Sequence, residues 1–183
     1  YYLHPHHYLG LRELLGESLV AETTHLIGNL KIVKSPAEMV YVRKAARIAD
    51  AAMASCVEAI SEGRTEKEVA GEVHRTLLVE GSDIPASPMN LCSGERSAFA
   101  HGAPSERRLA RGDFIHAQYG AAYRRYCCTI GRQLSLGEPT ARMRELYSIA
   151  REAVDACMAE MRAGVPATAP HEAARAVIAR AGM

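Results

Sequence analysis

The chain has 183 residues, 48% apolar and 23% charged, the make-up of a globular domain large enough for a real core. Its formal net charge is +1, which gives no basis for nucleic acid or an anionic membrane as a partner, and no apolar run is long enough to span a bilayer. The five cysteines are odd in number with no CxxC among them, so they read as free thiols in a reducing cytoplasm.

In chain order, residues 1–16 gather His4, His6 and His7 around Pro5. A histidine cluster can bind metal, but no acid accompanies this one, and a solvated terminal segment with a short helix over 9–15 is expected. Residues 30–33 read as a short strand or connector. Ser35, Pro36 and Glu38 then form a helix start of capping-box type. Met39, Val42, Ala46, Ala49, Met53, Cys56 and Ile60 follow at helical spacing, and Gly63 ends the helix. Thr65 with Glu68 repeats the capping box and opens a helix to about Glu80 through Val69, Val73 and Leu77. Residues 81–88 are loop by composition, 90–93 a short strand, and 93–112 an aperiodic stretch rich in Gly, Pro and charge. Residues 113–119 and 123–136 read as an antiparallel hairpin turning at Gly120-Ala121-Ala122. A long amphipathic helix over 140–163 carries Met143, Leu146, Ile149, Ala153, Ala156 and Met161 as a core stripe, and a last helix starts near Pro170. The start at Tyr1-Tyr2-Leu3 shows no signal-peptide pattern, and both ends read as those of a fragment of a longer chain.

Several segments, in this order, resemble the pita-bread hydrolases: creatinase, the Xaa-Pro peptidases and the methionine aminopeptidases. They are Lys34-Ser35-Pro36-Ala37-Glu38 with the helix that follows it, Ser93 to Gly102 ending in His101-Gly102, Arg111-Gly112-Asp113, the hairpin segment Gly120 to Tyr126, and Arg132. The resemblance covers about residues 30 to 183. It implies an α/β (α+β) pita-bread fold, a curved antiparallel sheet flanked by helices with the site in its concavity, here truncated. Residues 1–30 would then be the end of an N-terminal domain or a linker, and 31–183 the N-terminal part of the catalytic domain.

The departures from the family pattern carry as much information. The metallopeptidases hold two divalent ions with five side chains, two of them hairpin aspartates that align with Gln118 and Thr129 here. Two adjacent dications need anionic oxygens, and an amide carbonyl and a hydroxyl are neutral and weak ligands. No metal and no cofactor is therefore expected. Creatinase departs in a similar way and works without metal, using the histidine equivalent to His101; ectoine hydrolases are also similar around Tyr123 to Cys127.

These resemblances make His101 the candidate proton shuttle, since imidazole titrates near neutral pH. Gln118 and Thr129 are candidate substrate contacts, as are Arg124 and Arg125, whose guanidinium groups suit a carboxylate. His116 lies two residues before Gln118 on the same strand face and is expected to be a satisfied core histidine. Cys127 and Cys128 point to opposite strand faces and, with Cys92, are expected to be small buried residues rather than nucleophiles. The leading functional expectation is metal-independent C–N hydrolysis of a small polar substrate, creatinase-like or ectoine-hydrolase-like. The alternatives are an Xaa-Pro dipeptidase or aminopeptidase with an altered metal site, and a non-catalytic member with a binding or assembly role. The implied partners are a small-molecule or dipeptide-like substrate and, because family members are commonly dimers, a second copy of the chain.

Overall fold

The computed structural model describes residues 3–19, 21, 23–99 and 101–183. The chain divides into two compact units, residues 1–39 and 40–183.

In the first unit, helix α1 spans Pro5–Leu15. It starts inside the histidine cluster, four residues before the expected position. His4 is the reason: its Nδ1 accepts from the His6 backbone N–H at 3.2 Å, while Pro5 presets the first turn. Residues 30–33 do not form a strand. Helix α2 spans Thr24–Ile32, so the β-branched cue of Ile32 and Val33 is overridden by a helix begun upstream.

Helix α3 spans Pro36–Ala59 and α4 spans Glu66–Val79. Both capping boxes form. Ser35 N–H donates to Glu38 Oε2 at 2.7 Å and Glu38 N–H to Ser35 Oγ at 3.3 Å. Thr65 N–H donates to Glu68 Oε2 at 2.6 Å and Glu68 N–H to Thr65 Oγ1 at 3.1 Å. Strand β1 (Ser87–Ser93) pairs antiparallel with β2 (Phe114–Tyr123), which pairs antiparallel with β3 (Tyr126–Ser135). The sheet order is β1-β2-β3.

The hairpin turns at Arg124-Arg125, four residues beyond the expected turn. Both residues have positive φ, 50° and 70°, the backbone of a tight two-residue turn that ordinarily selects Asn or Gly. Gly120 was the misleading signal, because it lies in mid-strand for a steric reason. A Cβ there would come within 2.7 Å of Ala86 Cβ and 3.1 Å of Thr129 Oγ1.

One face of the sheet carries Leu91, Ile115, Ala117, Tyr119 and Ala121, all fully or almost fully buried. They pack with Ile48, Ala52 and Cys56 of α3 and Val69, Val73 and Leu77 of α4 in one core. Full burial of each large aliphatic contributes roughly 1.5–3 kcal/mol. Tyr119 places its hydroxyl 3.4 Å from the Ala49 carbonyl, and burial pushes its pKa up. Helices α5 (Ala141–Glu160) and α6 (Thr168–Arg180) pack on each other, burying Ala153 and Val177. Of the rest of the α5 stripe, Met143, Leu146, Ile149 and Ala156 are half-buried and Met161 is 62% exposed.

Candidate functional site

Strand pairing sets the site, because residues opposite one another in a ladder share a face. On the face of β2 turned away from the core lie His116, Gln118 and Gly120. Cys92, His116 and Gln133 form one row across all three strands, and Asn90, Gln118 and Gly131 form the next. The row beyond joins Ser87, Gly120 and Thr129. Gln118 and Thr129 are therefore diagonal neighbours, and the other two corners of their square are Gly120 and Gly131. A Cβ at Gly131 would make only ordinary contact with the Gln118 side chain at 3.7 Å. Gly131 is thus open backbone beside the Gln118 amide, while the Gly120 corner beside the Thr129 hydroxyl is closed by Ala86.

The structure corrects the reading of His116. Its Nδ1 lies 3.0 Å from Gln133 Oε1, and since that oxygen only accepts, Nδ1 carries the proton. In the neutral ring this leaves Nε2 as the acceptor, and it is buried with no partner among the described residues. Ser87 Oγ, at the register partner of Gly120, is buried and unpartnered in the same way. A register shift separates Ser87 from Asn90, and Ala86 rather than Ser87 lies against the Gly120 position, so only the His116 atom is placed on the Gln118 face. An open groove of about 780 Å³ reaches the His116–Gln133 row and is walled by Phe114, Tyr147, Val154 and Met158. That volume is in the range of small-ligand sites, about 300–1,000 Å³.

His101 is exposed and lies on the loop after β1. The next residue, Gly102, accepts a 3.1 Å hydrogen bond through its carbonyl from Leu91 N–H. Leu91 is in register with Ala117, so His101 reaches the β1 edge beside the Gln118 and His116 rows. The His101 loop thus runs along the outer edge of β1, with Gln118 on the central strand and Thr129 on β3. The structure leaves Arg124 and Arg125 at the hairpin tip, six residues along β2 from Gln118, which is roughly 20 Å at strand rise. Arg124 lies over the Tyr41 ring at 5.8 Å, and Tyr41 also packs on Tyr126 at 5.5 Å. Arg125 N–H donates to Asp83 Oδ2 at 3.3 Å. Both arginines are exposed and serve the turn.

The cysteines follow expectation in part. Cys92 is fully buried, and burial pushes its thiol pKa up, as it does for Cys56, to about 11. Cys127 is exposed, not buried, because it lies opposite Ala122 on the same open face of β3 as Thr129, and Cys128 on the other face is half-buried.

Sequence reasoning missed the polar hub behind the His101 loop. Glu66 is fully buried at the first position of α4. Its Oε1 accepts from Ser93 N–H at 2.8 Å and Ser93 Oγ at 2.7 Å. Its Oε2 accepts from Ser105 N–H at 2.9 Å, Ser105 Oγ at 2.7 Å and the Arg96 guanidinium. Arg107 bridges Ser93 Oγ at 2.6 Å to Asp113, whose two oxygens it meets at 2.6 and 2.8 Å. Burial alone would raise the Glu66 pKa; the hydrogen bonds from Ser105 and Ser93 outweigh it and hold the carboxyl below its usual value. An acid in the first turn of a helix normally signals only a favourable helix dipole, which is why this one gave no warning.

The residues present do not fit a pair of divalent ions. The two diagonal positions offer an amide and a hydroxyl, and no group of three His, Cys, Asp or Glu among the described residues is arranged to hold a metal. No helix among the described residues is long and apolar enough to cross a membrane.

A three-stranded antiparallel sheet backed by two helices, with its polar face turned to a groove, makes this one part of a pita-bread hydrolase fold. The chain belongs to metallopeptidase family M24, whose model matches residues 40–183. It is 35% identical to the Xaa-Pro dipeptidase of Pyrococcus horikoshii over 157 residues, 86% of this chain and 45% of that protein. Among solved structures, it is similar to the prolidase from Pyrococcus furiosus, with a TM-score of 0.86 and 34% identity over 88% of this chain and 48% of that one. It is likewise similar to an Xaa-Pro dipeptidase from Bacillus anthracis, with a TM-score of 0.89 and 30% identity over 99% of this chain and 51% of that one. The chain spans about half the length of the relatives it matches.

Proposed function

We propose that this chain is part of a hydrolase that cleaves a C–N bond in dipeptides of the Xaa-Pro class. The observation that carries this reading is the similarity, over most of the chain, to proteins named Xaa-Pro dipeptidase. It supplants the creatinase-like expectation as the leading reading, because relatives 35% identical to the chain are named Xaa-Pro dipeptidase. In this proposal His101 moves a proton between the attacking water and the leaving nitrogen. Gln118 and Thr129 hydrogen-bond the substrate, and the His116 lone pair accepts from one of its N–H groups. Arg124 and Arg125 are too far along the hairpin for direct contact with a substrate held at Gln118.

A second reading, metal-independent hydrolysis of a small polar substrate, is favoured by one specific observation: the neutral pair Gln118 and Thr129 on the site face. The assay that separates the two measures turnover of alanyl-proline and of creatine by the full-length protein, each with and without a strong chelator. Dipeptide turnover supports the first reading, and chelator-resistant turnover of creatine alone supports the second. Turnover of neither favours the non-catalytic reading, which hydrolysis of any other dipeptide or small amide would overturn. Five unpaired cysteines support a cytoplasmic location, and assembly as a homodimer belongs to the same proposal, checked by sedimentation.

A further inference from the structure

We infer that Glu66 is a positioning residue that clamps both ends of the loop carrying His101; the inference rests on the reading of His101 as the proton-transfer group. Residues 93 and 105 bound that loop, and they meet at a single carboxylate. Oε1 takes the amide and hydroxyl of Ser93, and Oε2 takes those of Ser105. Within the loop, Arg96 donates to Glu66, to Ser105 Oγ at 2.8 Å and to the Ala103 carbonyl at 2.8 Å. The ends are tied to α4 as well, since Lys67 N–H donates to the Ser105 carbonyl at 3.2 Å and Glu66 N–H to the Arg107 carbonyl at 3.0 Å. These bonds satisfy first-turn amides that have no partner within the helix.

Beyond the clamp, residues 94–98 pack on β1 and β2, and the part of the loop nearest His101 is the more open. Phe99 is 59% exposed, and His101 is exposed too. A further anchor is Gly102, whose carbonyl accepts from Leu91 N–H and whose backbone is pressed against Cys92: a Cβ there would fall 2.0 Å from the sulfur. A loop bounded by two serines on one buried carboxylate moves as a unit if that carboxylate is lost. His101 would then leave the β1 edge without any change in its own chemistry.

The test uses two variants of the full-length protein. Ser105→Ala removes one hydroxyl of the clamp and leaves the carboxylate charged, so it keeps the inference testable if Glu66→Gln fails to fold. Amide hydrogen exchange is read by mass spectrometry across the chain, and kcat and KM are read on alanyl-proline. Ser105→Ala is expected to speed exchange over 94–104 by about 5- to 10-fold, and Glu66→Gln by roughly 10- to 100-fold, with β2 and α3 unchanged. The rate loss should fall on kcat, with KM within about twofold, because chemistry rather than binding loses its proton carrier. Unchanged loop exchange, or an equal rise in β2 and α3, overturns the clamp. If His101→Ala turns over substrate normally, the reading of His101 fails, and the clamp is then judged on exchange alone.

Discussion

Replacing His101 with alanine is expected to lower kcat/KM on alanyl-proline by about 100- to 10,000-fold, the usual contribution of a general acid–base group. The side chain is exposed, so its removal creates no cavity and the melting temperature should stay within about 1 °C of wild type. A loss of activity with full retention of stability separates a proton carrier from a structural residue. Wild-type turnover in this variant would remove His101 from the mechanism and pass the role to another group on the site face, of which His116 is the first to test.

Arg107→Met is expected to cost about 3 kcal/mol of stability. The guanidinium forms a two-pronged bond to the buried Asp113 carboxylate and also reaches Ser93 Oγ, so its loss strands a charge on the turn leading into β2. In a domain of this size that is a drop of roughly 6–12 °C in melting temperature. The effect should depend on pH. Burial would raise the Asp113 pKa, but the Arg107 hydrogen bonds and the Ala110 amide lower it below its usual value. A carboxylate with a depressed folded-state pKa stabilises the fold fully above its unfolded value, about 3.9, and loses that contribution as pH falls through the depressed one. Urea unfolding across pH should therefore show the wild-type advantage at neutral pH and its disappearance in acid. A pH-independent difference would mean that Arg107 acts through packing alone.

Much of the architecture was legible because local signals and tertiary demands agreed. Ser35/Glu38 and Thr65/Glu68 are capping boxes in the sequence and in the fold. Cys56, Ala49 and Met53 belong to a helical stripe, and they are buried. The hairpin itself was also legible. Its turn was not, because Arg124 and Arg125 take a backbone that other residues adopt at lower cost, while the glycine that advertised a turn fills a steric need against Ala86. At the N-terminus, Pro5 and the His4 cap start α1 where composition indicated only solvated chain. The α5 stripe reads as core, yet it is mostly half-buried, with Ala153 buried and Met161 exposed, since periodicity specifies which face is apolar and not what lies against it.

Of the candidate site residues, the pairing of Gln118 with Thr129 is the part that the ladder register makes visible. Gln118 and Thr129 do share a face at neighbouring rows of the ladder. The Cys92–His116–Gln133 row was hidden, because Gln133 comes from the returning strand and its bond to His116 depends on a register that the misplaced turn concealed. Glu66 was hidden for the converse reason: its partners at Ser93, Arg96 and Ser105 are brought to it only by the fold.

The central claim is that the hairpin of this family member presents a neutral polar face, not a pair of metal-binding carboxylates. The direct measurement is metal stoichiometry in the full-length protein, prepared without chelator, incubated with Mn²⁺ or Co²⁺ and desalted, alongside a Gln118→Ala/Thr129→Ala double variant. The account predicts the same metal content in both proteins, with no ion that depends on these two side chains. Two ions per chain in the wild type, lost in the double variant, would contradict it and make Gln118 and Thr129 metal ligands after all.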